Sequence, residues 1–285
     1  MKKTALWISL IICLLLTMSC QKPSYQLPEG NAVYYWRTGL HLDSTERAFL
    51  QQYHIKKVYC RYFDVVMGEN GEPMPNATIT FSDRLPSGIE LVPTVYITED
   101  CMHKHHEGLA QKVVRRIRQI NETNSLPPCR EIQIDCDFTV RSRQTYYDFL
   151  EELSRDSLFT HESLLLSTTI RLHQLSMKTP PADYGVLMIY NTGDPRRFME
   201  RNPILDMRDV EPYLHHLARY PMPLAAAYPV YRWQRNIYGV RVEHTVSDSV
   251  ILEVKQAVEQ RRPELRHTIL TYHLDQENIN RSGQK

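Results

Sequence analysis

Two kinds of hydrophobic pattern alternate along the chain. Short runs with apolar residues at every position, or at every second one, are followed by longer stretches in which they return every three or four residues. The first kind predicts strands at Ala32 to Arg37, Lys56 to Phe63, Glu90 to Thr98, Glu131 to Thr139, Leu164 to Arg171, Gly185 to Asn191, Pro223 to Val230 and Thr268 to Leu274. The second predicts helices at Ser44 to Tyr53, His106 to Asn121, Arg141 to Ser157, Arg208 to Arg219 and Asp248 to Gln260, with Asp43 and Ser247 placed to cap the first and last. Strand and helix in alternation is the pattern of a parallel sheet with crossover helices, and eight strands are what a closed barrel requires. The expected fold is an irregular (β/α)8 TIM-type barrel, with an open doubly wound sheet as the alternative. The irregularity lies in "DVVMGENGEPMPNATITFSDRLPSG", which reads as loop and short strand where a helix should follow strand two. After strand eight only a short polar tail remains, so no helix is expected there.

Strand four, "EIQIDCDFT", has an unusual pattern. Ile132, Ile134, Cys136 and Phe138 share one face, and Glu131, Gln133, Asp135 and Asp137 the other. A carboxylate buried without partners costs several kcal/mol or gives up its charge, so the second face cannot lie in an apolar core. A barrel resolves this. Outward faces pack on helices, while inward faces near the carboxyl ends open into the mouth where barrel chemistry sits. Asp135 and Asp137 are then expected to rise toward that mouth.

Other strand ends carry similar groups: Arg61 and Asp64, then Arg171, His173 and Gln174, then Tyr190 and Asn191, Tyr228, and finally His273 and Asp275. Trp36 and Trp233 and a supply of 17 tyrosines add stacking surfaces. Acids, amides and flat apolar faces together suit a neutral polyhydroxylated ligand, so a carbohydrate is the expected partner. Two residues apart on a strand, the two carboxyl groups stand roughly 5 to 7 Å apart, a range that straddles retaining and inverting glycosidases. In that reading Asp137 is the general acid, Asp135 its partner, and Arg61, Asp64, Arg171, His173, Tyr190, Asn191, Tyr228 and Trp233 hold the substrate. The competing reading is that Arg61 or Arg171 neutralises the acids in a polar plug.

With 285 residues, 42% of them hydrophobic, the chain can bury one large core. A net charge of +1 gives no reason to expect nucleic acid, and in "KVVRRIR", Lys112 to Arg118, apolar residues at helical spacing make the basic run a solvated helix face. Residues 1–20, with Lys2 and Lys3 ahead of a short apolar run, have the form of an export signal. Its end, "LLTMSC", resembles a bacterial lipoprotein signal with Cys20 as the lipid-bearing residue. The expected plan is signal 1–20, linker 21–30, one barrel domain 31–275 and a polar tail 276–285. Gln21 fits a lipid anchor in the outer membrane facing the periplasm, so membrane contact is expected only through that lipid. Of six cysteines, Cys13 and Cys20 fall in the signal, Cys60 and Cys136 read as packed thiols, and Cys101 and Cys129 could pair. "CMHKHHE", Cys101 to Glu107, fits no zinc spacing, and no phosphate loop, dinucleotide glycine pattern or hydrolase elbow is present, so no cofactor or metal is expected.

"EIQIDCDFT", followed by "YYDFLEEL", "LLLSTTIRLHQL", "GVLMIYNTGD" and "MPLAAAYPVYRW", resembles a family of uncharacterised barrel lipoproteins of Bacteroidota. The resemblance covers nearly all of the chain beyond the signal and implies a glycoside-hydrolase-like barrel. More distantly the chain is similar to chitinase-type barrels, whose fourth strand bears acids at alternate positions and ends in a catalytic glutamate. Asp135 and Asp137 match the two aspartates, and Thr139 stands where the glutamate would be. That departure puts catalysis in doubt and keeps a glycan-binding or scaffolding role open beside hydrolysis.

Overall fold

The computed structural model describes residues 30–160, 164–237, 240–266, 269–274, 276 and 278–279. The signal, Cys20 and nearly all of the linker lie outside these residues, as does Asp275. Among the described residues no helix is long and apolar enough to cross a membrane.

Eight parallel strands form the barrel: β1 (Asn31–Tyr35), β2 (Ile55–Met67), β3 (Glu90–Ile97), β4 (Glu131–Cys136), β5 (Leu165–Arg171), β6 (Tyr184–Met188), β7 (Leu224–Pro229) and β8 (Ile269–Tyr272). Each pairs with the next, and β1 pairs with both β2, at Tyr34 opposite Tyr59, and β8, at Val33 opposite Thr271. That double pairing closes the sheet and excludes the doubly wound alternative. Outside run α1 (Ser44–Gln52), α2 (Leu109–Thr123), α3 (Arg143–Ser154) and α4 (Asp248–Arg261). Asp43 caps α1 through a reciprocal pair with Glu46, and Ser247 caps α4. The helix expected at Arg208 to Arg219 is broken into Met207–Val210, a 3-10 turn at Glu211–Tyr213, and Leu214–Leu217, with Pro212 at the break.

No helix lies between β2 and β3. Instead the last four residues of β2 pair antiparallel with Pro73–Asn76, while Thr80–Phe81 pairs beside Gly39–Leu40. Whether a helix follows β8 falls mostly outside the described residues. A second hairpin, Trp233–Ile237 with Val240–His244, extends from β7 where the hydrophobic pattern gave no strand.

Alternation sorts the barrel residues into two cores. Outward residues such as Val58, Cys60, Ile132, Ile134 and Cys136 pack under α2 and α3, and burying each large one is worth roughly 1.5–3 kcal/mol. Inward, Tyr34, Tyr59, Tyr184, Val186, Met188 and Leu270 fill the lumen. Its floor is polar. Glu131 receives Lys57 Nζ at 2.6 Å, the Ser167 hydroxyl at 2.5 Å and the Tyr184 hydroxyl, and Tyr34 donates to Gln133 at 2.8 Å. Buried groups this well paired make a rigid base for the mouth above them. All four described cysteines are free thiols, so Cys101 and Cys129 do not pair; Cys101 is buried beside the Val65 carbonyl.

Candidate functional site

Asp135, Asp137 and Arg171 meet at the carboxyl end of β4 and β5. Arg171 Nε donates to Asp137 Oδ1 at 2.5 Å and Nη2 to Asp135 Oδ1 at 3.1 Å, while the Thr169 hydroxyl donates to the same Asp135 oxygen at 2.6 Å. The Asp135 side chain is 5% exposed and that of Asp137 47%, so one acid is sealed and the other faces solvent. Burial raises the Asp135 carboxyl above its ordinary range; Arg171 opposes this and Asp137 adds to it. Burial alone would lower Arg171, but the two carboxylates overcome it and hold the guanidinium more firmly charged than usual. Its Nη1 is buried with no partner among the described residues.

A cleft of about 300 Å³ opens beside this trio, bounded by Asp137, Arg171, His173, Met188, Tyr190, Asn191 and Tyr213. Tyr190 and Tyr272 stack with centroids 4.6 Å apart, Tyr231 meets Tyr272 edge-on at 5.3 Å, and Trp36 lies 6.2 Å from Tyr272, giving a continuous aromatic wall. Burial and the Asp135 charge push the Tyr272 hydroxyl up to about 12, so it stays a neutral donor. Asn191 adopts φ +52°, an uncommon backbone for a residue with a side chain, and accepts the Tyr231 hydroxyl.

Arg61 and Asp64 also reach the mouth, for a reason the alternation hides. Three apart on a regular strand, they would face opposite ways. A bulge in β2 between Arg61 and Phe63 resets the alternation, Arg61 Nε donates to Asp64 at 2.7 Å, and the guanidinium lies 5.9 Å over Trp36. Arg61 therefore balances Asp64, and Arg171 balances the acid pair. Gln174 is buried and used structurally, receiving the Arg171 N–H and donating to the Phe138 carbonyl at 2.9 Å.

Two expected mouth residues are elsewhere. Tyr228 is in the outer core with Leu224 and Ala226 against Val254 and Val258, because Ala225 and Ala227 take the inward positions of β7. Trp233 is on the second hairpin, edge-on to Phe198 at 5.7 Å, outside the aromatic wall. Tyr231 and Tyr272 fill the wall instead.

Glu99, in the turn after β3, is a further acid at this end of the barrel. It accepts the hydroxyls of Thr139 at 2.6 Å and Ser142 at 2.9 Å, with His103 Nε2 at 3.7 Å. The Thr139 bond, and then that of Ser142, hold its carboxyl below the usual range. An acid directly after a predicted strand was the available signal for it. The neighbouring histidines diverge, His105 toward Glu152 at 3.6 Å and His106 toward Glu72 at 3.3 Å. Among the described residues no three His, Cys, Asp or Glu side chains are grouped to hold a metal ion.

Parallel strands closed into a ring, with polar groups gathered at their carboxyl ends, define a TIM-type barrel. Solved barrels similar to it include the spore cortex-lytic enzyme SleL of Bacillus megaterium, at 12% identity and a TM-score of 0.55 over 87% of this chain and 71% of that one. A chitinase from Bacteroides thetaiotaomicron is similar at 11% identity and a TM-score of 0.55, over 89% and 93%. At such identities the likeness is one of fold. No protein-family model and no curated protein sequence matches the chain.

Proposed function

We propose that this protein acts on carbohydrate, hydrolysing glycosidic bonds in the cleft beside Asp137, from a lipid anchor at Cys20 in the outer membrane facing the periplasm. The observation that carries the reading is the division of labour in the acid pair: Asp137 half exposed at the cleft, Asp135 sealed beneath it, and Arg171 bonded to both. One shared proton leaves this trio neutral, the state that burial favours. Asp137 delivers that proton to the glycosidic oxygen as general acid. The two carboxylates then left against one guanidinium carry a net negative charge that stabilises the developing sugar cation. Water adds to the cationic carbon as the glycosidic bond breaks, and the proton it gives up returns to the acid pair. The aromatic wall stacks a sugar face, and His173, Asn191 and the unpartnered Arg171 Nη1 are hydrogen-bonding groups for its hydroxyls. That similar barrels are a chitinase and cortex-lytic enzymes supports a glycan ligand. The likeness to the Bacteroidota lipoproteins, and with it the envelope location, belongs to the same proposal.

A second reading, glycan binding without cleavage, is favoured by Thr139 at the expected glutamate position and by the bond that ties Asp137 to Arg171. One experiment separates the two. The soluble chain from Gln21 onward and its Asp137→Asn variant are screened for cleavage and binding against bacterial, host and plant glycans. Hydrolysis lost in the variant establishes the glycosidase; binding by both without cleavage establishes the receptor; activity surviving in the variant removes Asp137 from the chemistry.

A further inference from the structure

The helix missing after β2 leaves an unfilled place in the ring around the barrel. A groove of about 260 Å³ runs there, between α2 and the hairpin strand Pro73–Asn76. Its apolar lining comes from Phe63 and Val65 on the outward face of β2, with Pro73 and Pro75 forming the far wall and Met74 half exposed. Along the α2 rim stand Lys112, Arg115 and Arg116, and none of the three forms an ion pair among the described residues. Arg116 reaches only Gln119 and Thr78, and its Nε is buried without a partner.

We propose that this groove receives an acidic amphipathic helix of a partner protein, which completes the ring. Three features select that occupant. The floor is apolar, so the ligand presents apolar side chains. The cations recur at helical spacing from Lys112 to Arg116, with Gln119 continuing the row over about 10 Å at ~1.5 Å per residue, so they match several negative charges in a line rather than one carboxylate. The wall strand carries prolines at 73 and 75, which have no N–H to offer, so recognition by strand addition is disfavoured and helix-in-groove recognition fits. About one helical turn spans the three cations, and about two reach Gln119. The inference is independent of the glycan reading, since the groove lies on the outer flank of the barrel rather than in its mouth.

The test is a fluorescence-anisotropy titration of the soluble chain with a labelled, stapled Leu/Glu helix, beside its Leu/Lys counterpart and polyglutamate. The expected result is saturable binding of the Leu/Glu helix alone, weakened by salt. It should fall at least tenfold in the double variant Lys112→Glu/Arg115→Glu and again in Met74→Asp, each confirmed folded by circular dichroism. No saturable binding at millimolar peptide, equal binding in both folded variants, or equal binding of polyglutamate overturns the proposal. Displacement of the helix by an equal concentration of laurate overturns it too, in favour of a single-chain amphiphile.

Discussion

The Thr139 hydroxyl donates to the Glu99 carboxylate at 2.6 Å. A position where chitinase-type resemblance leads one to look for an acid therefore holds a donor, and the acid stands on the neighbouring strand end. The pairing fixes the charge of Glu99, because a carboxylate that accepts two hydroxyls is favoured in its ionised form. Glu99 is thus set up to stay charged rather than to give up a proton.

The first prediction concerns pH. The carboxyl of Glu99 lies below its ordinary 4.5, so the stability it contributes is fully present above about 4.5 and is lost as pH falls through the lowered value. Glu99→Gln should cost roughly 1 kcal/mol at pH 7, since hydrogen bonds to a charged, partly exposed acceptor are replaced by neutral ones. Urea denaturation of both proteins from pH 7 to pH 3 should show the difference closing at the acid end. A difference constant across that range means the hydroxyls do not depend on the charge.

Installing the expected acid is a second test. Thr139→Glu sets a carboxylate against Glu99, and like charges in contact should destabilise by about 1 kcal/mol at low salt. In a Glu99→Gln background the same change should be nearly neutral. A double-mutant cycle by chemical denaturation measures the coupling, and additive effects would show that the two positions do not meet.

The aromatic wall yields a contrast between two tyrosines. Tyr231 joins Tyr190 and Tyr272 at the mouth, whereas Tyr228 is outward and buried, with its hydroxyl unpartnered among the described residues. Tyr231→Ala should weaken glycan affinity about three- to tenfold, the worth of one stacking contact. Tyr228→Phe should leave affinity unchanged and stability equal or slightly higher, because the orphan hydroxyl is removed. Calorimetric titration and thermal melts of both variants check this; a loss of binding in Tyr228→Phe would contradict its outward placement.

These residues mark what the sequence pattern conveys. Alternation in "EIQIDCDFT" was enough to send Ile132, Ile134 and Cys136 under the helices and Asp135 into the lumen, because a strand has only two faces. The same rule, applied to β7, would have kept Tyr228 out of the mouth, since Ala225 and Ala227 hold the inward positions there. The meeting of Arg61 and Asp64 was not legible, because a one-residue bulge resets the alternation and leaves no mark in composition. The hairpin that carries Trp233 was not legible, because Trp233 to Ile237 runs apolar, polar, polar, polar, apolar and only Val240 to His244 alternates. Which arginine holds the acids depended on three-dimensional pairing, and Arg171 does it while Arg61 serves Asp64.

Arg171 carries the last prediction. Among the described residues it is the only cation bonded to the sealed Asp135, so Arg171→Met leaves that carboxylate buried without this counter-charge and should cost about 3–5 kcal/mol at pH 7. The sign with pH follows from the direction of the shift. Asp135 already binds its proton more tightly in the folded protein than its ordinary 3.8 implies, and more tightly still without Arg171. The variant's deficit should therefore shrink as pH falls through its own, still higher value and level off below the native protein's raised value, where both folded proteins hold the proton; the unfolded chain is common to both and drops out. Adding Asp135→Asn to the variant should recover most of the loss at every pH, because no charge then needs a partner. Urea denaturation of the three proteins between pH 4 and pH 8 measures this directly. A deficit independent of pH and unrelieved by Asp135→Asn would assign the effect to packing of the arginine stem, and would remove the electrostatic coupling on which the shared-proton role of the pair depends.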